Sequence, residues 1–107
     1  MCGLAGIISN APLSSAESIK LSNFHNVLAN RGPDDFGFMV NGCFGLAHSR
    51  LMINDMTDGG QQPFMSPRIV AIVNGEFYNY RELKDAVSDL NYQYKGGSDC
   101  EVIIPLY

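Results

Sequence analysis

The chain has 107 residues, a length that suits one small domain. With 46% apolar and 17% charged residues it has the make-up of a globular protein and not of a disordered segment. A net charge of −4 and a pI of about 4.8 argue against nucleic acid or an anionic membrane as a partner, and no apolar run nears the roughly 20 residues of a membrane span.

The short apolar run LAGIIS (4–9) predicts a buried strand. Ser14 followed by Glu17 forms a capping-box pattern, and Ile19, Leu21, Phe24, Val27 and Leu28 then recur at helical spacing, predicting an amphipathic helix over about 15–30. Arg31-Gly32-Pro33 ends it, since Pro cannot continue a helix. Two β-like runs, 36–40 and 43–48, flank Asn41-Gly42 and predict an antiparallel hairpin. NDMTDGGQQPFMSP is rich in turn residues and predicts a long loop. RIVAIVNG (68–75) predicts a second buried strand. NYRELKDAVSDL (79–90) predicts a helix with Leu83, Ala86, Val87 and Leu90 on one face. NYQYKGG suggests a short strand and turn. Ser98 with Glu101 is a second capping-box pattern opening a helix into EVIIPLY, where Pro105 sits awkwardly. Antiparallel pairing with interspersed helices predicts an α+β sandwich in preference to an alternating βαβ fold.

The N-terminus lacks the basic and apolar regions of a signal peptide, so a cytoplasmic protein is expected. The three cysteines, Cys2, Cys43 and Cys100, are odd in number and far apart, which suits neither a disulfide framework nor a CxxC zinc site. His25 and His48 stand outside any metal-ligand spacing and read as structural, surface or half-buried residues. No metal site is expected. The apolar ending SDCEVIIPLY has no polar tail and reads as cut, predicting the first part of a longer protein.

Cys2 has two readings. It is a small core thiol, or, once Met1 is removed, a nucleophile that shares its residue with a free α-amine. An α-amine has a pKa of about 7.7–8.0 and a thiol about 8.5, so the amine can take the thiol proton without a histidine. VNGEFYN (73–79) ends a strand in Asn74-Gly75, whose side-chain amide and backbone N–H suit a developing oxyanion; Asn-Gly is also a common turn. Arg50 suits a substrate carboxylate, or a solvated surface. Asp99 suits an ammonium, or the dipole of the helix it opens. Taken together, Cys2, Arg50, Asn74, Gly75 and Asp99 describe a site for a zwitterionic amino acid with an amide side chain, which is glutamine.

The motifs MCGLAGI (1–7), RGPDDFG (31–37), LAHSRLMIND (46–55), QQPF (61–64), VNGEFYNYREL (73–83) and GSDCEVI (97–103) span essentially the whole chain. In order and spacing they resemble the N-terminal glutaminase domain of class II glutamine amidotransferases, within that group the glutamine-hydrolysing asparagine synthetases. The resemblance implies a four-layer sandwich of two antiparallel sheets between helical layers, the N-terminal nucleophile hydrolase fold. Residues 1–107 would be the N-terminal part of that domain, with its remainder and an ATP-dependent synthetase domain absent. It implies Cys2 as nucleophile, its α-amine as base, and Asn74 and Gly75 as oxyanion donors. Arg50 would hold the glutamine carboxylate and Asp99 its ammonium, with Glu76 beside it and Leu51, Met52, Ile53 and Asn54 lining the pocket through their backbone. Cys100 would have no chemical role, and Cys43 would be a core or strand residue. No cofactor is implied in this segment; ATP and Mg would belong to the synthetase domain, the expected partner along with glutamine, and a homodimer is compatible. Alternatives are a paralogue that amidates another carboxylate, such as a sugar acid in surface-polysaccharide synthesis, or that closes a β-lactam ring; an inactive structural module; and a piece that does not fold stably alone.

Overall fold

The structure, a computed structural model, describes residues 1–107 apart from Asn54. Its first sheet has the order β1-β3-β2, built from β1 (Gly3–Ile8), β2 (Asp35–Asn41) and β3 (Phe44–Arg50). β3 is central and antiparallel to both neighbours, with Leu4 and Gly37 opposite His48. The hairpin lies where it was expected, but its two turn residues are Gly42 and Cys43, and Asn41 pairs with Phe44. Gly42 has φ +57° while Cys43 does not share the left-handed region, the pattern of a type II′ turn with glycine first. Cys43 is therefore an exposed turn residue and not a core or strand residue.

Helix α1 (Ser15–Leu28) follows β1. The capping box is present: Ser14 Oγ accepts from Glu17 N–H at 3.3 Å, and Glu17 Oε2 accepts from Ser14 N–H at 2.8 Å. Leu21 is fully buried against the sheet, and Phe24 and Leu28 are half-buried. Ile19 and Val27, expected on the apolar face, point to solvent instead, because a single sheet covers only a narrow stripe of the helix.

The second half is less regular. Among the described residues of this half only Phe64–Met65 (β4) and Val70–Ala71 (β5) pair, so the strand expected over 68–75 shrinks to two residues. The reason is a side chain. Val73 N–H donates to Gln62 Oε1 at 2.6 Å and Gln62 Nε2 donates to Val73 O at 3.2 Å, so a carboxamide takes the place of a neighbouring strand. Within the loop expected at 54–67 lie β4 and a 3-10 turn at Asp58–Gly60. Helix α2 (Tyr80–Ala86) is shorter than expected and gives way to a 3-10 turn at Ser88–Leu90.

No strand forms at 91–97. The Lys95 and Gly96 N–H groups donate to the fully buried Glu101 carboxylate, at 2.8 and 3.2 Å, and the Tyr92 hydroxyl donates to it at 3.1 Å. The same contacts undo the second capping box, for Glu101 turns to this loop and Ser98 makes no cap. A 3-10 turn at Cys100–Val102 leads into α3 (Ile103–Leu106). Pro105 is accommodated because it lies in the first turn of α3, where its missing N–H has no helical partner to lose.

Two apolar clusters result. Leu21 and Ala47 lie between α1 and the first sheet; Phe64, Cys100 and Ile104 are buried together in the second half, with Val73 and Phe77 packed against them. Burying an Ile or Phe side chain contributes roughly 1.5–3 kcal/mol, so this second cluster holds an otherwise loop-rich region. Among the described residues, no helix is long and apolar enough to cross a membrane.

Candidate active site

A cleft of about 300 Å³ opens at the seam between the two halves. Segments from across the chain line it, most of them delivered by an element end. Cys2 stands just before β1. Arg50 closes β3, and Leu51 and Ile53 follow it. Asn74, Gly75 and Glu76 follow the short β5. Ser98, Asp99 and Cys100 open the final 3-10 turn. Residues as distant in sequence as Cys2 and Asp99 thus share one concavity, with Met1 at its edge.

The Cys2 sulfur is held by the chain that leaves β3. Leu51 N–H donates to Cys2 Sγ at 3.3 Å, and Arg31 Nε donates to the Cys2 carbonyl at 3.2 Å. Met1 is 75% exposed, so the peptide bond that precedes Cys2 lies at the surface. In this sequence the Cys2 nitrogen is a peptide N–H, and it becomes an amine only when Met1 is cleaved.

Arg50 is buried although it is charged, which requires partners. Its guanidinium donates to the Thr57 carbonyl at 2.9 Å and to the Asp55 carbonyl. A Cβ on Gly60 would lie 2.0 Å from Arg50 Nη2, so any side chain there would require the guanidinium to shift. Asp99 is buried too, and its Oδ2 accepts from Phe77 N–H at 2.7 Å. The cleft therefore carries a buried cation and a buried carboxylate on different walls, a pattern that complements an amino-acid zwitterion.

Asn74, Gly75 and Glu76 are exposed at the mouth of the cleft. Cys100 Sγ–H donates to the Gly75 carbonyl at 3.2 Å, so the thiol braces this segment from below. Burial, followed by the charge of Asp99, pushes the Cys100 thiol up to about 12, which keeps it protonated as that donor.

Of the residues expected at the site, Cys2, Arg50, Leu51, Ile53, Asn74, Gly75, Glu76 and Asp99 line the cleft. Met52 does not; its N–H donates to Asp34 Oδ2 at 2.8 Å. The expectation for Asn54 falls outside the described residues. Asp55, Gln62 and Tyr78 line the cleft without having been expected there. The run QQPF held the signal for Gln62, but nothing in spacing says that its carboxamide would seize the backbone of Val73.

His48 is not the surface or half-buried residue expected. It is 1% exposed, and neither ring nitrogen closes a hydrogen bond of normal geometry. Burial lowers its pKa, with the Val73 carbonyl opposing and Arg50 adding to the shift, which favours the neutral ring.

Residues 1–107 match the family described as the glutamine amidotransferase domain, and the chain belongs to that family. It is similar to glutamine-hydrolyzing asparagine synthetase 2 of Bacillus subtilis (strain 168), with 45% identity over 111 residues that cover 100% of this chain and 14% of the relative. Glutamine-hydrolyzing asparagine synthetase 1 of Arabidopsis thaliana is 39% identical over 108 residues, covering 100% of this chain and 18% of the relative. A protein named amidase chry2, of Gibberella zeae, is 37% identical over 120 residues, again 100% of this chain and 18% of the relative. The chain thus spans less than a fifth of the length of these relatives.

Proposed function

We propose that this domain hydrolyses the side-chain amide of glutamine and supplies the ammonia to a synthetase domain that makes asparagine from aspartate. The observation that carries the reading is the convergence of Cys2, Arg50, Asn74-Gly75 and Asp99 on one cleft of about 300 Å³.

Removal of Met1 frees an α-amine on Cys2, which takes the thiol proton. Arg50 holds the α-carboxylate of glutamine and Asp99 its α-ammonium, which presents the side-chain amide to the sulfur. Glu76, Leu51 and Ile53 complete the pocket. The thiolate adds to the amide carbon. The negative oxygen of the tetrahedral intermediate is met by the Asn74 amide and the Gly75 N–H, contacts that in comparable sites are worth about 10²–10³ in rate. The protonated amine returns its proton to the departing nitrogen, and ammonia leaves. Water then cleaves the thioester and releases glutamate.

The domain is the N-terminal part of a four-layer sandwich. Leu4 and Ile8 on the face of the first sheet opposite α1 are 41% and 87% exposed, apolar positions that a second sheet would cover. ATP and Mg²⁺ belong to the synthetase domain, and no step in the glutaminase cleft uses them. A second reading sends the ammonia to a carboxylate other than aspartate; it uses the same cleft, and the match to a protein that is not named an asparagine synthetase keeps it open to test.

In the full-length protein, Cys2→Ala is expected to abolish glutamine-dependent synthesis and leave ammonia-dependent synthesis intact. Loss of both, or of neither, overturns the division of labour. Replacing aspartate by other carboxylates in the ammonia-dependent assay separates the two acceptors.

A further inference from the structure

Asp55 links the two walls of the cleft that carry the buried charges. Its backbone carbonyl accepts from the Arg50 guanidinium. Its side chain reaches 42 residues along the sequence, where Oδ2 accepts from Gly97 N–H at 2.8 Å, two residues before Asp99. Oδ1 accepts from Thr57 N–H at 2.8 Å and from the Thr57 hydroxyl at 2.7 Å, and the Thr57 carbonyl is the second acceptor for Arg50. The surroundings leave little slack. A Cβ on Gly96 would lie 2.7 Å from Asp55 Oδ2, and one on Gly59 would lie 2.5 Å from the Lys95 carbonyl, so the two loops meet backbone to backbone around this carboxylate. Asp55 as a residue is 7% exposed. The Thr57 hydroxyl, with the Thr57 and Gly97 N–H groups and Arg50 assisting against burial, holds it below the usual carboxylate range.

We infer that Asp55 is a positioning residue for amino-acid recognition: it sets the separation between Arg50 and Asp99, and so selects a ligand that carries both an α-carboxylate and an α-ammonium. The inference rests on the glutaminase reading above. Its physical basis is that a two-point clamp discriminates only if the points are held at a fixed spacing. The Arg50 backbone is anchored in β3. The 97–99 segment has no strand or helix to hold it, and Asp55 supplies a fixed point at Gly97 as Phe77 does at Asp99.

The test compares glutamine with 4-carbamoylbutanoic acid, which lacks the α-ammonium, in the full-length protein and in Asp55→Asn. The amide side chain is isosteric with the carboxylate, yet it cannot accept from both Thr57 and Gly97 at once. The expected result is a rise of about tenfold in KM for glutamine with kcat within about threefold, the size of one lost hydrogen bond to a charged group. KM for the deaminated analogue changes far less, so the preference for glutamine falls by a similar factor. Equal losses for both substrates, or a fall in kcat alone, overturn the inference, because a general loosening of the domain does not distinguish them. If Asp55→Asn yields no folded protein, Thr57→Val decides. It removes the hydroxyl that donates to Asp55 Oδ1 and accepts from Gly59 N–H, and keeps the backbone; a rise of about threefold in glutamine KM with unchanged kcat supports the role, whereas an unchanged KM overturns it. A parent protein that hydrolyses no glutamine overturns the glutaminase reading and this inference with it. One that does, with an unaltered preference in both variants, overturns the role of Asp55 alone.

Discussion

The Gln62 carboxamide binds both backbone groups of Val73, accepting from N–H at 2.6 Å and donating to C=O at 3.2 Å. Val73 precedes Asn74-Gly75, so one side chain fixes the segment from which the proposed oxyanion donors project. Gln62→Leu would take the carboxamide away from the half-buried Val73 N–H and C=O. The expected cost is about 1–3 kcal/mol. A urea titration of the parent and variant domains reads it directly, and a shift below about 0.5 kcal/mol would mean that water or another group replaces the carboxamide.

The three thiols occupy different environments, and alkylation should rank them. Cys43 is exposed in the hairpin turn. Cys100 is buried and pushed up to about 12, so at pH 8 only roughly 10⁻⁴ of it is thiolate. Iodoacetamide at pH 8, followed by peptide mapping, should label Cys43 early and leave Cys100 unlabelled until denaturant is added. Labelling of Cys100 at the rate of Cys43 would contradict the described packing.

His48 makes stability depend on pH. Its folded pKa is lowered from 6.5 by burial, so between those two values the unfolded chain binds the extra proton. Stability is complete above about pH 6.5 and falls as the pH is lowered through and below it, with a limiting slope of about 1.4 kcal/mol per pH unit. Asp55 and Glu17 are also held low, but they withdraw their contributions only below their ordinary values of 3.8 and 4.5. Denaturant midpoints at pH 7.5 and 5.5 should therefore differ in the parent, and the difference should shrink in His48→Gln. An equal difference in both proteins would place the titrating group elsewhere.

The local signals served where the partner of a residue lies within a few positions of it. Ser14 and Glu17 are three residues apart, and their capping box is formed. The hairpin around Gly42 was legible because a tight turn pairs strands that are adjacent in sequence, although the turn itself begins at Gly42 and not at Asn41. Signals of the same kind failed where a distant group competed. Ser98 and Glu101 have the spacing of a capping box, but Glu101 is taken by Tyr92, Lys95 and Gly96. The apolar run at 68–75 has the composition of a strand, but Gln62 satisfies Val73 before a ladder can extend.

The sequence alone determined the chemistry of the candidate site: a thiol at position 2, a cation at 50, amide donors at 74–75 and a carboxylate at 99. Those are properties of side-chain type, and six motifs in order were enough to recognise the family. Only the tertiary structure decided that these groups face one cleft, that the Met52 N–H is taken by Asp34, and that the Asp55 and Gln62 side chains bond to distant backbone at Gly97 and Val73. Both act through main-chain N–H and C=O groups, which every residue carries. A contact made to a group common to all residues leaves no pattern in side-chain identity, so it becomes visible only when the chain is folded.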